Sequence, residues 1–557
     1  MVNDSTFEPT SNKTSDASLP NASYCTVTDL VDLKRRMKYD IESIQAKVAD
    51  LERAMVEARR KEEELVSALN SLENLSSAIF GLPDEILAII FENMTQTDTG
   101  GHTMSKNAAP WVIAQTCQRW RQLALSTPSI WTLIRINTSF LSRQPVEMLK
   151  AWLERSQGLP LSCLLFLNQS PYIADLEDEL FQLVLVNTHR WRHLEVHLES
   201  RCDLYRRFAS AKDIPFPLLH SLRILVNMSG VVDDGTPPLS TAVTLTAPSL
   251  VDASLLILVP SSLESIITLP WSHLTELSLS FATSARFNEI MTCSKRLERC
   301  YLHLSSRFVL GEQMVSLPMS LRRLQLTGPL LNMVNTLSSL SSPGLVELGL
   351  NPPGGSTVPS LTARRLLESI AQLQTRSSCQ LRRLYIPITL FSFPESPRIA
   401  DCLSTVQALH LRLEGKKGSE EAIRTIKTSD VFRNVKELHL IVYKDGVGEA
   451  FVSSLPAFVD MVEARRSLSS SRGSGRYTSL QCLVIDMIRY GGRSKARLPV
   501  NREVAERLSR LERDGLIILG HVADGEWQPQ HPATTHWDLE VSQRRWARFG
   551  YCDWLFA

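Results

Sequence analysis

The sequence predicts a multi-domain α+β chain: a long amphipathic helix, a short three-helix module, then an irregular α/β solenoid closed by a C-terminal cap. Three observations predict it. Apolar residues recur at seven-residue spacing through 29–79, a compact run of apolar helical segments fills 80–132, and from Leu159 onward the pattern L-x-x-L-x-L keeps returning. At 557 residues the chain exceeds what one hydrophobic core supports. Its 43% apolar and 21% charged residues are ordinary globular usage.

Residues 1–28 are rich in Ser, Thr, Asn, Asp and Pro and are expected to be disordered, because so polar a segment buries too little to offset its ordering entropy. In the helix predicted over 29–79, Leu30, Met37, Ile44, Leu51, Ala58, Leu65 and Leu72 lie seven residues apart. Ile41, Val48, Met55 and Leu69 fill the second seam position, with Glu62 as a charged break. That is a heptad stripe. Acidic and basic residues are equally frequent between Asp32 and Glu64, as on a solvated helix, and no Pro or Gly interrupts 29–80. Two packings suit the stripe: a homodimeric coiled coil through 29–78, or a helix folded back on its own chain. The spacing does not choose between them.

The next stretch reads GLPDEILAIIFENM at 81–94 and WVIAQTCQRWRQLALSTPSIW at 111–131. Pro83 suits a first helical turn, and Asp84 with Glu85 complements the helix dipole there. Ile86, Leu87, Ile90 and Phe91 are expected to form one broad apolar face. A polar loop over 95–110 ends that helix. A second helix is expected from about Trp111 to Leu125, with Ile113, Cys117, Trp120 and Ala124 facing inward. Pro128 then opens a final turn bearing Ile130 and Trp131. Three such short helices make a small core, and several apolar side chains need a surface supplied by another protein.

Leu82-Pro83-x-Glu85-Ile86-Leu87-x-x-Ile90-Phe91, then Cys117-x-x-Trp120-Arg121, Ala124, Pro128 and Trp131, resembles the F-box. The likeness covers residues 80–132, about a tenth of the chain. Thr116 stands where the family usually has Val, and the 95–110 loop is longer than typical. The resemblance implies docking to the Skp-family adaptor of an SCF-type cullin–RING ubiquitin ligase. Leu82, Pro83, Glu85, Ile86, Leu87, Ile90 and Phe91 are the expected adaptor contacts. Cys117, Trp120, Ala124, Pro128 and Trp131 are the expected internal core, and internal packing is an equally good reading for Phe91.

Residues 133–158 are expected to be a connecting helix, and 159–490 the solenoid. The pattern stands at Leu274-Leu277-Leu279, Leu321-Leu324-Leu326, Leu345-Leu348-Leu350 and Leu381-Leu384-Ile386. It returns at Val406-Leu409-Leu411, Val435-Leu438-Leu440 and Leu480-Leu483-Ile485, with weaker copies from Trp191 onward. Each copy puts one side of a short strand inward, and only stacked copies close that core, as in leucine-rich repeats. The usual Asn or Cys of those repeats is missing, so the solenoid is irregular. The segments NPPGGSTVPS at 351–360 and RRSLSSSRGSGR at 465–476 read as solvent loops. Residues 491–557, with Trp527, Trp537, Trp546 and Trp554, are expected to cap the last repeat.

A formal net charge of +1 argues against a nucleic-acid or membrane partner. The ten cysteines form no C-x-x-C pair, which argues against the usual zinc or disulfide frameworks. The opening residues lack a basic, apolar leader and no run spans a bilayer, so a cytoplasmic or nuclear setting is expected. No phosphate loop, zinc-helix motif or nucleophile elbow occurs, so the chain is expected to be no enzyme and to need no cofactor. His193, His197, His410 and His439 fall on strands and are expected at the sheet surface. The function that the F-box resemblance implies is selection of a target protein for ubiquitination. A ligase-independent scaffold built from coiled coil and solenoid is the alternative.

Overall fold

A computed structural model describes residues 27–520 apart from intervening stretches, the longest at 199–214, 227–242 and 489–501. The chain divides into two compact units, Met1–Leu87 and Ala88–Ala557, and the division falls inside one helix.

The first unit is dominated by α1 (Val27–Ser76), a single helix of 50 residues. Its outer faces carry ion pairs three and four residues apart: Asp32 with Arg35, Asp50 with Arg53, and Arg60 with both Glu57 and Glu64. Such pairs each support an exposed helix modestly. The heptad stripe is open to solvent: Leu30 is 56% exposed, Ile44 59% and Leu65 71%. The expected disorder of 1–28 lies almost wholly outside the described residues.

Among the described residues the second unit is built on fourteen parallel strands. In chain order the strands are β1 (Leu133–Asn137), β2 (Leu161–Leu167), β3 (Trp191–Leu198), β4 (Ser221–Val226), β5 (Val243–Thr244) and β6 (Asp252–Ile257). Next come β7 (Ile267–Thr268), β8 (Glu276–Phe281), β9 (Arg299–Leu304), β10 (Val315–Ser316), β11 (Arg323–Thr327) and β12 (Leu340–Ser341). The last are β13 (Glu347–Asn351), β14 (Arg383–Pro387), β15 (Ala408–Leu413), β16 (Glu437–Tyr443), β17 (Cys482–Ile488) and β18 (Ile517–Gly520). The main sheet follows sequence order, while β5 pairs with β7 and β10 with β12 in two small accessory sheets. Every neighbour in the main sheet is the next strand along, so the sheet is an array of repeated units rather than an interleaved fold.

Register explains why the leucine pattern was visible. Leu277, Cys300, Leu324, Leu348, Leu384, Leu409, Leu438 and Leu483 align side by side from β8 to β17. Strand alternation sends all of them to one side of the sheet, where each is almost wholly buried. The first leucine of each copy closes a turn: the N–H groups of Leu274, Leu297, Leu321 and Leu345 donate to carbonyls three residues back. The irregular spacing also has a cause. The long interval before Leu381 holds α9 (Ser360–Ser377), of 18 residues, and the one before Leu480 holds α10 (Gly448–Ser470), of 23. Helix α6 (Ala174–Val186) stands between β2 and β3, and the shorter α7 (Ser284–Cys293) and α8 (Leu330–Ser339), of 10 residues each, fit the regular intervals.

The sheet is longer than expected at both ends. Residues 133–158, read as a connecting helix, hold the first strand β1 and then α5 (Pro145–Arg155); β1 pairs in parallel with β2. Its five residues, LIRIN, are too few to show a helical or strand period against their flanks. At the other end α11 (Arg502–Arg513) and β18 extend the array through Gly520, so part of the expected cap is one more repeat. The four C-terminal tryptophans lie outside the described residues. The Ser/Arg-rich segment is helical up to Ser470 and outside the described residues beyond, and Pro353–Val358 lie outside them as well.

Candidate partner-docking surfaces

Two places gather the candidate residues: the helices after residue 80 and the side of the sheet opposite the leucines. In the first unit a turn, closed by the Leu82 N–H on the Ile79 carbonyl, leads to Pro83. The Pro83 carbonyl accepts the N–H groups of both Ile86 and Leu87, which starts α2 (Asp84–Thr97). Proline costs nothing there because no donor is needed at that point. Leu82 is half-buried, and Pro83 and Glu85 are exposed.

The single apolar face expected on α2 is in fact two. Leu87 and Phe91, four residues apart, are completely buried. Ile86 is 44% exposed and Ile89 is 53% exposed, and Ile90 is half-buried beside them on the other flank of the helix. Leu87, read as an adaptor contact, is therefore internal core, and of the two readings open for Phe91 its burial fits internal packing. Periodicity cannot make this separation, because an unbroken apolar run looks alike on every flank. Ile89 was missed for the same reason.

Within the second unit, Phe91 meets the edge of Trp120 with ring centres 5.0 Å apart. The Glu92 carboxylate accepts the Ser129 hydroxyl. The second helix, expected to run unbroken over 111–125, is two: α3 (Ala109–Thr116) and α4 (Gln118–Ser126). Cys117 between them is extended and half-buried; its sulfur accepts the Trp120 N–H at 3.4 Å and caps α4. Its role is that of an N-cap, not of a buried helix face. Arg121 Nε donates to the Ala114 carbonyl at 2.8 Å across the break. Ala124 is buried and Pro128 half-buried, at the start of a 3-10 turn over Pro128–Trp131.

Trp131 is fully buried, and its Nε1 donates to the Ala124 carbonyl at 2.8 Å. It meets Trp111 at 5.2 Å and Trp152 of α5 at 5.0 Å, both edge-on. The Arg155 guanidinium lies 4.6 Å from the Trp111 ring and 4.7 Å from that of Trp131. Burial lowers the Arg155 pKa, partly offset by Glu154, and the ring faces supply part of the solvation it has lost. Trp111, Trp152 and Arg155 belong to this cluster although the sequence pattern assigned them no role. Thr103 completes the attachment: its N–H and hydroxyl both donate to the Arg135 carbonyl of β1 at 2.8 Å. Helices α3 and α4 are thus fastened to the first strand of the sheet.

The side of the sheet opposite the leucine core is mainly polar from β6 to β16 and ordered in rows. One row runs Asp252, Glu276, Arg299, Arg323, Glu347 and Arg383, two acids, two arginines, an acid and an arginine, with opposite charges paired across strands. Arg299 meets Glu276 at 2.8 Å, and Glu347 takes Arg323 at 2.5 Å and Arg383 at 2.8 Å. The next row runs Tyr301, Gln325, Gly349, Tyr385, His410 and His439. Tyr385 stacks on His410 with ring centres 3.9 Å apart, and His410 meets His439 at 4.7 Å. Burial, reinforced by His439, Arg383 and Arg323, pushes the His410 pKa well below its ordinary value. Burial raises the Tyr385 hydroxyl and, with Glu276 adding to it, that of Tyr301. Burial opposes the Arg323 charge, but Glu347 and the two tyrosines outweigh it and raise its pKa. His193 is half-buried, whereas His197, His410 and His439 are buried within the polar side.

No cluster of His, Cys, Asp and Glu able to hold a metal ion exists among the described residues. Cys163 and Cys300 are buried, and burial raises both thiols. No helix among the described residues is long and apolar enough to cross a membrane.

No protein family model matches the chain, and no curated protein matches it. Among solved structures the chain is similar to the crystal structure of the Rad7 and Elc1 complex in yeast. The likeness covers 80% of this chain and 96% of that one at 12% identity, with a TM-score of 0.22, too low to carry an argument.

Proposed function

We propose that this chain is a non-enzymatic substrate receptor of an SCF-type ubiquitin ligase. In this reading residues 80–132 are an F-box that docks a Skp-family adaptor and through it a cullin, and the leucine-rich-repeat-like sheet holds a target protein. The observation that carries the reading is the division of α2. Leu87 and Phe91 close inward, while Ile86 and Ile89, directly after the Leu82–Pro83 turn, remain open to solvent. Exposed large aliphatics at a helix start are what an interaction module presents to a partner. The contacts proposed are Leu82, Pro83, Glu85, Ile86 and Ile90, joined by Ile89.

The target arm rests on the polar side of the sheet. Its charges are of both signs and mutually paired, and Arg299 and Arg383 keep their side chains more than a third exposed. Such a surface suits a folded or extended protein of mixed charge better than a polyanion.

Co-purification tests the reading. The wild-type chain should bring down both a Skp-family adaptor and a cullin, and the double variant Leu82→Ala with Pro83→Ala should bring down neither while keeping its circular dichroism. Adaptor without cullin would favour the ligase-independent scaffold. Wild-type protein that binds no adaptor sinks the proposal.

A further inference from the structure

The exposed stripe of α1 has a charge pattern that names its occupant. With Leu30 and its seven-residue successors in one seam position, the other is filled by Lys34, Ile41, Val48, Met55, Glu62 and Leu69. Of the ion pairs within the helix, Asp32–Arg35, Asp50–Arg53 and Glu57–Arg60–Glu64 lie on the faces turned away from this seam. The longer Lys38–Glu42 and Lys61–Glu57 pairs, both at 3.9 Å, draw on positions that flank it. Apart from Lys34 and Glu62 the seam is left to apolar residues, and its large aliphatics from Leu30 to Leu69 are about half to seven-tenths exposed. An apolar seam of this length, with its shortest ion pairs turned outward, is the pattern of a two-stranded coiled coil.

We infer that α1 pairs with α1 of a second copy of this chain in the antiparallel sense. Lys34 and Glu62 are the reason. A parallel, in-register pair would set Lys34 against the partner's Lys34 and Glu62 against the partner's Glu62, two like-charged layers inside the seam. Turning the partner end for end, with Val48 facing the partner's Leu51, puts Ile44 on the partner's Met55 and Ile41 on the partner's Ala58. Met37 then faces the partner's Glu62, one layer from Lys34 on the partner's Leu65, so the two buried charges become opposite neighbours. The same register sets Leu30 on the partner's Leu69, Val31 beside the partner's Val66 and Asp40 beside the partner's Lys61. Only Lys38 beside the partner's Arg59 is unfavourable. Charged residues in a seam position cost stability in one arrangement and thereby select another. At a rise of about 1.5 Å per residue, the two copies of Ser76 would lie roughly 80 Å apart.

Sedimentation of the full chain with cysteine substitutions in the seam tests this. Wild type should sediment as a dimer. The double variant Ile44→Cys with Met55→Cys should give a disulfide-linked dimer, because each new thiol faces the other kind. Either single variant should not exceed the wild-type background, since like positions then lie about 16 Å apart, beyond disulfide reach. Lys34→Glu should raise the dimer dissociation constant about tenfold by turning two symmetry-related attractions into repulsions, and Lys34→Glu with Glu62→Lys should restore it. A monomeric wild-type chain overturns the inference and assigns the stripe to a different protein. Self-linking by Ile44→Cys alone, or a Lys34→Glu dimer of unchanged strength, overturns it in favour of the parallel form.

Discussion

Phe91 and Ile86 sit on one helix, five residues apart, and should respond to mutation in opposite ways. Phe91 is completely buried against the edge of Trp120. Truncating a buried Phe to Ala removes its transfer energy and leaves a cavity, about 3–5 kcal/mol together, including an aromatic pair worth about 1 kcal/mol. Phe91→Ala should therefore lower the urea midpoint of the second unit and weaken adaptor binding only as its fold is lost. Ile86 is 44% exposed, so less than half of its surface remains for a partner to cover. Complete burial of an Ile side chain is worth about 1.5–3 kcal/mol, so the remaining part gives roughly 1 kcal/mol, near fivefold in dissociation constant, for Ile86→Ala. Ile86→Asp adds the desolvation of a carboxylate, several kcal/mol more, and should abolish binding. In the free chain that Asp lies in the first turns of α2, where the helix dipole favours it, so stability should hold. Titration calorimetry with a purified Skp-family adaptor, beside urea unfolding, reads both effects. The reasoning fails if Ile86→Asp unfolds as readily as Phe91→Ala, or if it binds like wild type.

Three further outcomes are expected. A Cβ on Gly344 would stand 2.2 Å from the Met319 carbonyl oxygen, so Gly344→Ala should force the backbone apart and lower the urea midpoint by the equivalent of about 2 kcal/mol or more; an unchanged midpoint refutes that contact. His410 is neutral in the fold because its pKa is held down, whereas the unfolded chain takes up that proton below about pH 6.5. Stability from this residue is therefore complete above that pH and is lost as pH falls through it; the urea midpoint should drop between about pH 7.5 and 5.5, and His410→Gln should flatten the dependence. Arg507 on α11 reaches Asp460 at 2.5 Å and Glu463 at 2.6 Å on α10, partly exposed, so Arg507→Ala should cost about 1 kcal/mol and speed hydrogen exchange in β18 before the rest of the sheet; uniform exchange would refute a local role.

The aromatic cluster gives the docking reading a mechanical corollary. Trp111, Trp131 and Trp152 interlock under Arg155, and Thr103 is bonded to β1, so α3 and α4 cannot rotate freely against the first repeats. A target held by the sheet would keep a fixed direction relative to these two helices.

The sequence alone determined whatever depends on period and local chemistry. The seven-residue stripe of α1, the leucine pattern of the strands and the Leu82–Pro83 helix start could all be read because each repeats or obeys a rule spanning a few residues. Only the tertiary structure decided which side of α2 is closed, since Ile86, Leu87, Ile90 and Phe91 are equally apolar and differ only in what surrounds them. It alone broke the helix at Cys117, brought Trp152 and Arg155 to Trp111 and Trp131, and made 133–137 a strand. The charge row from Asp252 to Arg383 was hidden for the same reason. Its members lie 23 to 36 residues apart in sequence and become neighbours only when parallel strands stack in register.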